Sequence, residues 1–106
     1  MKRSKVQRLT AAGWAVGSAK DLLQLSDEEE SLIEMKLSLA SSLKKLRTKH
    51  GITQIQVAKR LRSSQSRVAK LESADPSVSI DLLVRALLSL GATRQQVGQI
   101  LGRKAG

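Results

Sequence analysis

The chain has 106 residues, enough for one small domain, with 19 Lys and Arg against 9 Asp and Glu, a formal net charge of +10, a single Trp and no Tyr, Phe or Cys. Without cysteine there is no disulfide scaffold, thiol nucleophile or thiolate zinc site, and with one His a histidine-centred metal site or triad has almost nothing to build on. The charge exceeds what solubility asks of a small domain, about 2–8 in magnitude, and points to a polyanionic partner, nucleic acid before an acidic protein or an anionic membrane.

Residues 1–25 read as a basic N-terminal segment with a short helical turn or two near Leu22, Leu23 and Leu25, anchored by Trp14. No apolar run of signal-peptide or membrane length follows the basic start, so a reduced, cytoplasmic, non-enzymatic protein without metal or cofactor is expected. Residues 26–106 read as the folded domain. Ser26 and Glu29 have capping-box spacing, and Asp27, Glu28, Glu29 and Glu30 supply the negative first turn that a helix dipole favours. Neither Pro nor Gly interrupts the chain before Gly51, so a helix over residues 27–49 is predicted, about 35 Å long. Leu32, Met35, Leu39, Leu43 and Leu46 form one apolar stripe along it. Ile33, Leu37 and Ala40 form a second in its first half, expected to meet the N-terminal segment or another subunit. His50 falls at the helix end, where it suits a dipole partner or cap better than a catalyst.

Thr53 with Gln56 opens a short helix over 54–61 whose inward residues are Val57, Ala58 and Leu61. After Arg62-Ser63-Ser64, with Ser64 as cap, a second short helix covers 65–72 with Val68 and Leu71 inward. Two eight-residue helices joined by three residues, with a small residue inside the first, have helix-turn-helix spacing. A loop over 73–77 leads to a helix capped by Ser79, stapled by Val78 and Leu83 and ending at Leu90 before Gly91; Thr93 with Gln96 opens a last helix through Leu101. The helix up to Leu90 is apolar over most of its circumference, and Val97, Ile100 and Leu101 continue the excess into the last one. The excess predicts a homodimer through Leu87, Leu88, Val97, Ile100 and Leu101, although the same spacing also fits closure of the monomer's own core. The result is an all-α fold of five helices with an N-terminal helical extension.

Charge is segregated along this plan. Residues 36–70 hold ten Lys and Arg and no Asp or Glu. With one aromatic ring, the stacking platforms of single-strand binders are missing, which leaves recognition of duplex DNA by an inserted helix. Gln65, Ser66, Arg67 and Lys70, at the start and on the outward side of the second short helix, are the candidate base contacts, because amide, hydroxyl and cationic side chains match base edges in the major groove. Gln54, Lys44, Lys45, Arg47, Lys49, Lys59, Arg60 and Arg62 are the candidate phosphate contacts, not all of which can face the DNA at once.

Leu43 with Arg47, Gly51-Ile52-Thr53-Gln54, Val57-Ala58 with Leu61, Ser64-Gln65-Ser66, Val68 and Leu71-Glu72 together resemble the XRE family of helix-turn-helix proteins, the group of the lambda and 434 repressors and Cro. The resemblance extends over about 40–101, with Pro76-Ser77 and the helix ending at Gly91 similar to the family's fourth helix. It implies a lambda-repressor-like fold and a transcriptional repressor that binds a pseudo-palindromic operator as a homodimer joined through its C-terminal helices. It also implies that Gln54 touches phosphate and braces the recognition helix, that Gln65 pairs with adenine beside Ser66, and that Arg67 and Lys70 select the operator. One departure is Arg62, where the family usually has Gly: the residue must turn left-handed, at about 1–2 kcal/mol, or bend the turn differently. The whole chain further resembles HigA-like antitoxins, which implies a small basic toxin of the RelE/HigB type docking at Asp27, Glu28, Glu29 and Glu30, although a plain helix-start pattern explains those residues somewhat better. A helical protein-interaction adaptor is a more distant alternative, against which the base-readable Gln65-Ser66-Arg67 start argues.

Overall fold

The computed structural model describes residues 25–103, which form five helices and no strand. They are α1 (Asp27–Lys49), α2 (Gln54–Leu61), α3 (Gln65–Glu72), α4 (Ile80–Ser89) and α5 (Arg94–Leu101). The Trp14 anchor and, apart from Leu25, the expected N-terminal helical turns lie outside the described residues.

Each helix starts where a hydroxyl side chain meets free backbone N–H groups. Ser26, Thr53, Ser64, Ser79 and Thr93 all adopt extended dihedrals and accept a hydrogen bond from the N–H three residues on. In three of them the box is reciprocal, with Glu29, Gln56 and Gln96 accepting in return from the cap's own N–H at 2.9, 2.7 and 2.8 Å. The ends use a left-handed residue. Gly51 and Gly91 close α1 and α4 with φ of 68° and 97°, and Arg62 and Ala74 close α2 and α3 with φ of 53° and 56°. Arg62 therefore takes the first of the two courses open to a side-chain-bearing residue at that turn.

The core runs through all five helices. Leu39, Leu43, Val57, Val68, Leu83 and Leu87 are wholly buried, and Ala40, Ala58, Leu71, Val78, Ala86 and Leu90 nearly so. Helix α4 is the centre: α1 packs along it, α2 and α5 touch it from other sides, and α3 packs on α1 and α2. Burying one such Leu or Val stabilises the fold by about 1.5–3 kcal/mol relative to exposure. Ala58 is the small residue that lets α2 and α3 approach.

Two expectations are corrected here. Ala40 and Leu37, assigned to a second stripe awaiting another partner, join Leu39, Leu43 and Leu46 around this same core, because α4 and α5 wrap about half the circumference of α1. Leu32, expected on the main stripe, is instead half exposed. The excess apolar surface of the last two helices is also taken up within the monomer: Leu87 is 0%, Val97 7% and Ile100 9% exposed. These three cannot be the centre of a dimer interface. Of the five residues expected there, only Leu88, 42% exposed, and the half-buried Leu101 keep surface for a partner. The reason is the central position of α4, whose Leu83, Ala86, Leu87 and Leu90 face inward at helical spacing while Val84 and Leu82 pack on the flanks.

Candidate nucleic-acid interface

Helices α2 and α3 meet at a turn made by Arg62, Ser63 and Ser64. The Ser63 N–H donates to Ala58 O at 2.8 Å and the Arg62 N–H to Lys59 O at 3.2 Å, which satisfies the last carbonyls of α2 and directs the chain into the Ser64 cap of α3. On α3, Val68 and Leu71 are buried, so Gln65, Ser66 and Lys70 fall on the opposite side, with Arg67 at its edge; all four are exposed. Ala69 lies between them on that side and is half buried. It was not singled out from the sequence because an alanine carries no hydrogen-bonding signal.

A chain of polar contacts leads from the base of α1 to the tip of α3. Arg47 Nε and Nη2 both donate to Glu72, the latter to Oε1 at 3.1 Å, while Nη1 donates to Ile52 O at 3.0 Å. Glu72 Oε1 also accepts from Gln54 Nε2 at 3.0 Å, and Gln54 Oε1 accepts from Gln65 Nε2 at 2.6 Å. Glu72 can only accept, which obliges Gln54 to present its NH2 to the carboxylate and its oxygen to Gln65. Exposed Gln65 keeps its second Nε2 hydrogen and its carbonyl oxygen uncommitted to any other described residue.

The Glu72 side chain is 4% exposed and that of Arg47 14%. Donation to the Glu72 carboxylate raises the Arg47 pKa above its ordinary value, against a smaller opposing effect of burial. Both groups are fully paired, and among the described residues no buried side-chain N or O lacks a partner. Arg47, expected among the phosphate contacts, is thus held inward as a brace by groups 25 and 5 residues away. Glu72 was quoted only as part of the family motif. Its role as hub was hidden because its partners are set by how α1, α2 and α3 cross.

The remaining cations divide into two groups. Lys59 and Arg60 are exposed on α2, away from the inward Val57, Ala58 and Leu61, and Arg62 is exposed in the turn. Exposed Lys44 lies one turn before Arg47 on the same side of α1. Lys45 and Lys49 are about half a turn round α1 from Arg47 and line a groove against α5 instead. The structure does not bring them together with α3. At the far end of α1, the Glu29 carboxylate of the expected docking edge is engaged with the Ser26 N–H, which lowers its pKa.

No group of three or more His, Cys, Asp or Glu among the described residues could hold a metal ion, and no described helix is long and apolar enough to cross a membrane. The sequence profile of the helix-turn-helix family matches residues 43–100, more than half of the chain, from the buried Leu43 to Ile100 of α5. No curated protein and no solved structure matches the chain.

Proposed function

From a chain that belongs to the helix-turn-helix family of the XRE type, a non-enzymatic DNA-binding and transcription-regulatory domain, we propose a sequence-specific repressor that acts on duplex DNA as a homodimer. Helix α3 would lie in the major groove and α2 across the backbone. The observation that carries this reading is the chain from Arg47 through Glu72 and Gln54 to Gln65, because it braces the exposed Gln65 amide and leaves it one donor and one acceptor uncommitted. That pair is complementary to N7 and the N6 amino group of adenine. Ser66, Arg67 and Lys70 are then the neighbouring base contacts, and the Ala69 methyl suits a thymine methyl.

Phosphate contact is assigned to Lys59, Arg60, Arg62 and Lys44 and to the free N–H groups at the start of α2, next to Gln54. The homodimer rests on Leu88 and Leu101, a small apolar area, so pairing should be weak in solution and completed on the operator. Two copies related by a two-fold axis would place their α3 helices in successive major grooves about 34 Å apart, which calls for a pseudo-palindromic site.

The test starts from an operator selected out of random duplexes. Gln65→Ala should weaken that operator by about 1–3 kcal/mol and spare random DNA, whereas Lys59→Ala should weaken both alike. If competition assays show the two substitutions behaving the same, α3 is not the reading helix. Sedimentation should find monomers without DNA and two protomers per operator. Loss of the second protomer in Leu88→Asp would identify the contact, and unchanged pairing would remove it.

A further inference from the structure

Between the second half of α1 and the outer side of α5 lies a groove of about 320 Å³, within the lower range of small-molecule sites. Its lining is part apolar, with Leu46, Ala92 and Ile100 over the buried Leu87, and part polar, with Ser42, Gln96 and Gln99, and it carries Lys45 and Lys49 from α1 and Arg103 from just beyond α5. Among the described residues no carboxylate lines the groove and neither lysine has an ion-pair partner. The Arg103 Nη2 donates to Ser42 Oγ at 3.1 Å, an exposed bond to a neutral acceptor that spans one end of the groove. A carboxylate is the stronger acceptor for that guanidinium.

We propose that this groove binds a small amphipathic organic anion, a single carboxylate on an apolar body of roughly medium-chain length. The apolar part of the lining disfavours a fully hydrophilic anion such as a polyphosphate, since Leu46, Ala92 and Ile100 would not replace its hydration. Three rim cations with no ion-pair partner among the described residues disfavour a neutral ligand, because a negative group would relieve their mutual repulsion. The Ser42–Arg103 bridge and the span of one helical turn from Lys45 to Lys49 set a short length, suited to one small molecule. The site is independent of DNA reading, as Lys45 and Lys49 project from α1 away from Arg47 and α3.

Titration of the full chain with sodium decanoate, below its micelle-forming concentration, tests this against decanol and acetate. Decanoate should raise the melting temperature and shift backbone NMR signals of residues 42–49 and 96–103, with decanol and acetate far weaker. The double variant Lys45→Gln/Lys49→Gln should bind decanoate about tenfold more weakly, two partly exposed charge contacts having been lost. Operator binding by that variant should stay near wild type. Equal decanoate binding by the variant, an equal response to acetate, or no response at all would overturn the proposal. So would a loss of affinity for random DNA in the variant matching that of Lys59→Ala, since the lysines would then be phosphate contacts.

Discussion

Helices α1 and α4 end in the same backbone geometry as α2 and α3, yet with different residues. All four close by donating the N–H beyond the left-handed residue back five positions: Ile52 to Arg47 O, Ala92 to Leu87 O, Ser63 to Ala58 O and Asp75 to Lys70 O. The long framework helices place Gly51 and Gly91 at the left-handed position, where glycine has no strain. The two helices of the reading module place Arg62 and Ala74 there. A residue with a Cβ costs about 1–2 kcal/mol in that conformation, so the ends of α2 and α3 are held by their surroundings. The framework is locally encoded, and the reading module is imposed on its own turns by packing and by the Arg47–Glu72 brace.

The sharpest way to break that contrast is Glu72→Ala. Arg47 and Gln54 would lose their shared acceptor while still half buried, and the expected loss is about 2–4 kcal/mol, between an unsatisfied polar group and a broken buried ion pair. Urea unfolding should show it, together with a drop in the ratio of operator to random-DNA affinity as Gln65 loses its support. A loss under about 1 kcal/mol with selectivity intact would mean that the brace does not hold α3.

Next in size is Gly51→Ala. A Cβ there would meet nothing within 4 Å, so the left-handed strain of about 1–2 kcal/mol is offset only by alanine's smaller unfolded-state entropy, leaving a loss of about 0.5–1 kcal/mol. A neutral result would remove the distinction between the two classes of helix end.

Substitution in the opposite sense should mirror that loss. Arg62→Gly relieves the strain but adds the backbone entropy of glycine, leaving a gain of about 0.5–1 kcal/mol. Its loss of a cation should lower random-DNA affinity at the same time. Ala74→Gly has the same relief, yet Ala74 is 9% exposed in the core, and losing its methyl costs about 0.8 kcal/mol. Its net effect should be near zero. Thermal unfolding of the pair separates strain from burial.

The smallest effect concerns the framework's own start. The Glu29 pKa is lowered, chiefly by the Ser26 backbone N–H and then by the Ser26 side chain. A carboxylate with a depressed folded-state pKa stabilises above its unfolded value, about 4.3, and that contribution is lost as pH falls through the lower folded value. Amide exchange in the first turn of α1 should quicken in that acidic window. Glu29→Gln, whose amide oxygen keeps the acceptor without the charge, should make exchange there insensitive to it.

What sequence determined by itself was short in range. All five N-caps, the two glycine ends, the three capping boxes and the helix-turn-helix spacing depend on residues three to five apart, and their hydrogen bonds leave a pattern any helix start or stop must repeat. At Arg62 the family resemblance left two courses open, a left-handed residue or a differently bent turn, and the fold took the first. Tertiary structure decided the rest. Arg47 finds Glu72 25 residues away, and Gln54 finds Gln65 11 residues away, only because three helices cross there. Leu87, Val97 and Ile100 are apolar whether they face a second subunit or their own core, and the packing of α1 and α5 around α4 made the choice. Lys44 and Lys45 are adjacent in sequence, yet a rotation of about 100° between them sends one toward the side of Arg47 and the other to the groove beside α5. A periodic pattern states that a helix has a face, and only the neighbours packed against it state what that face is for.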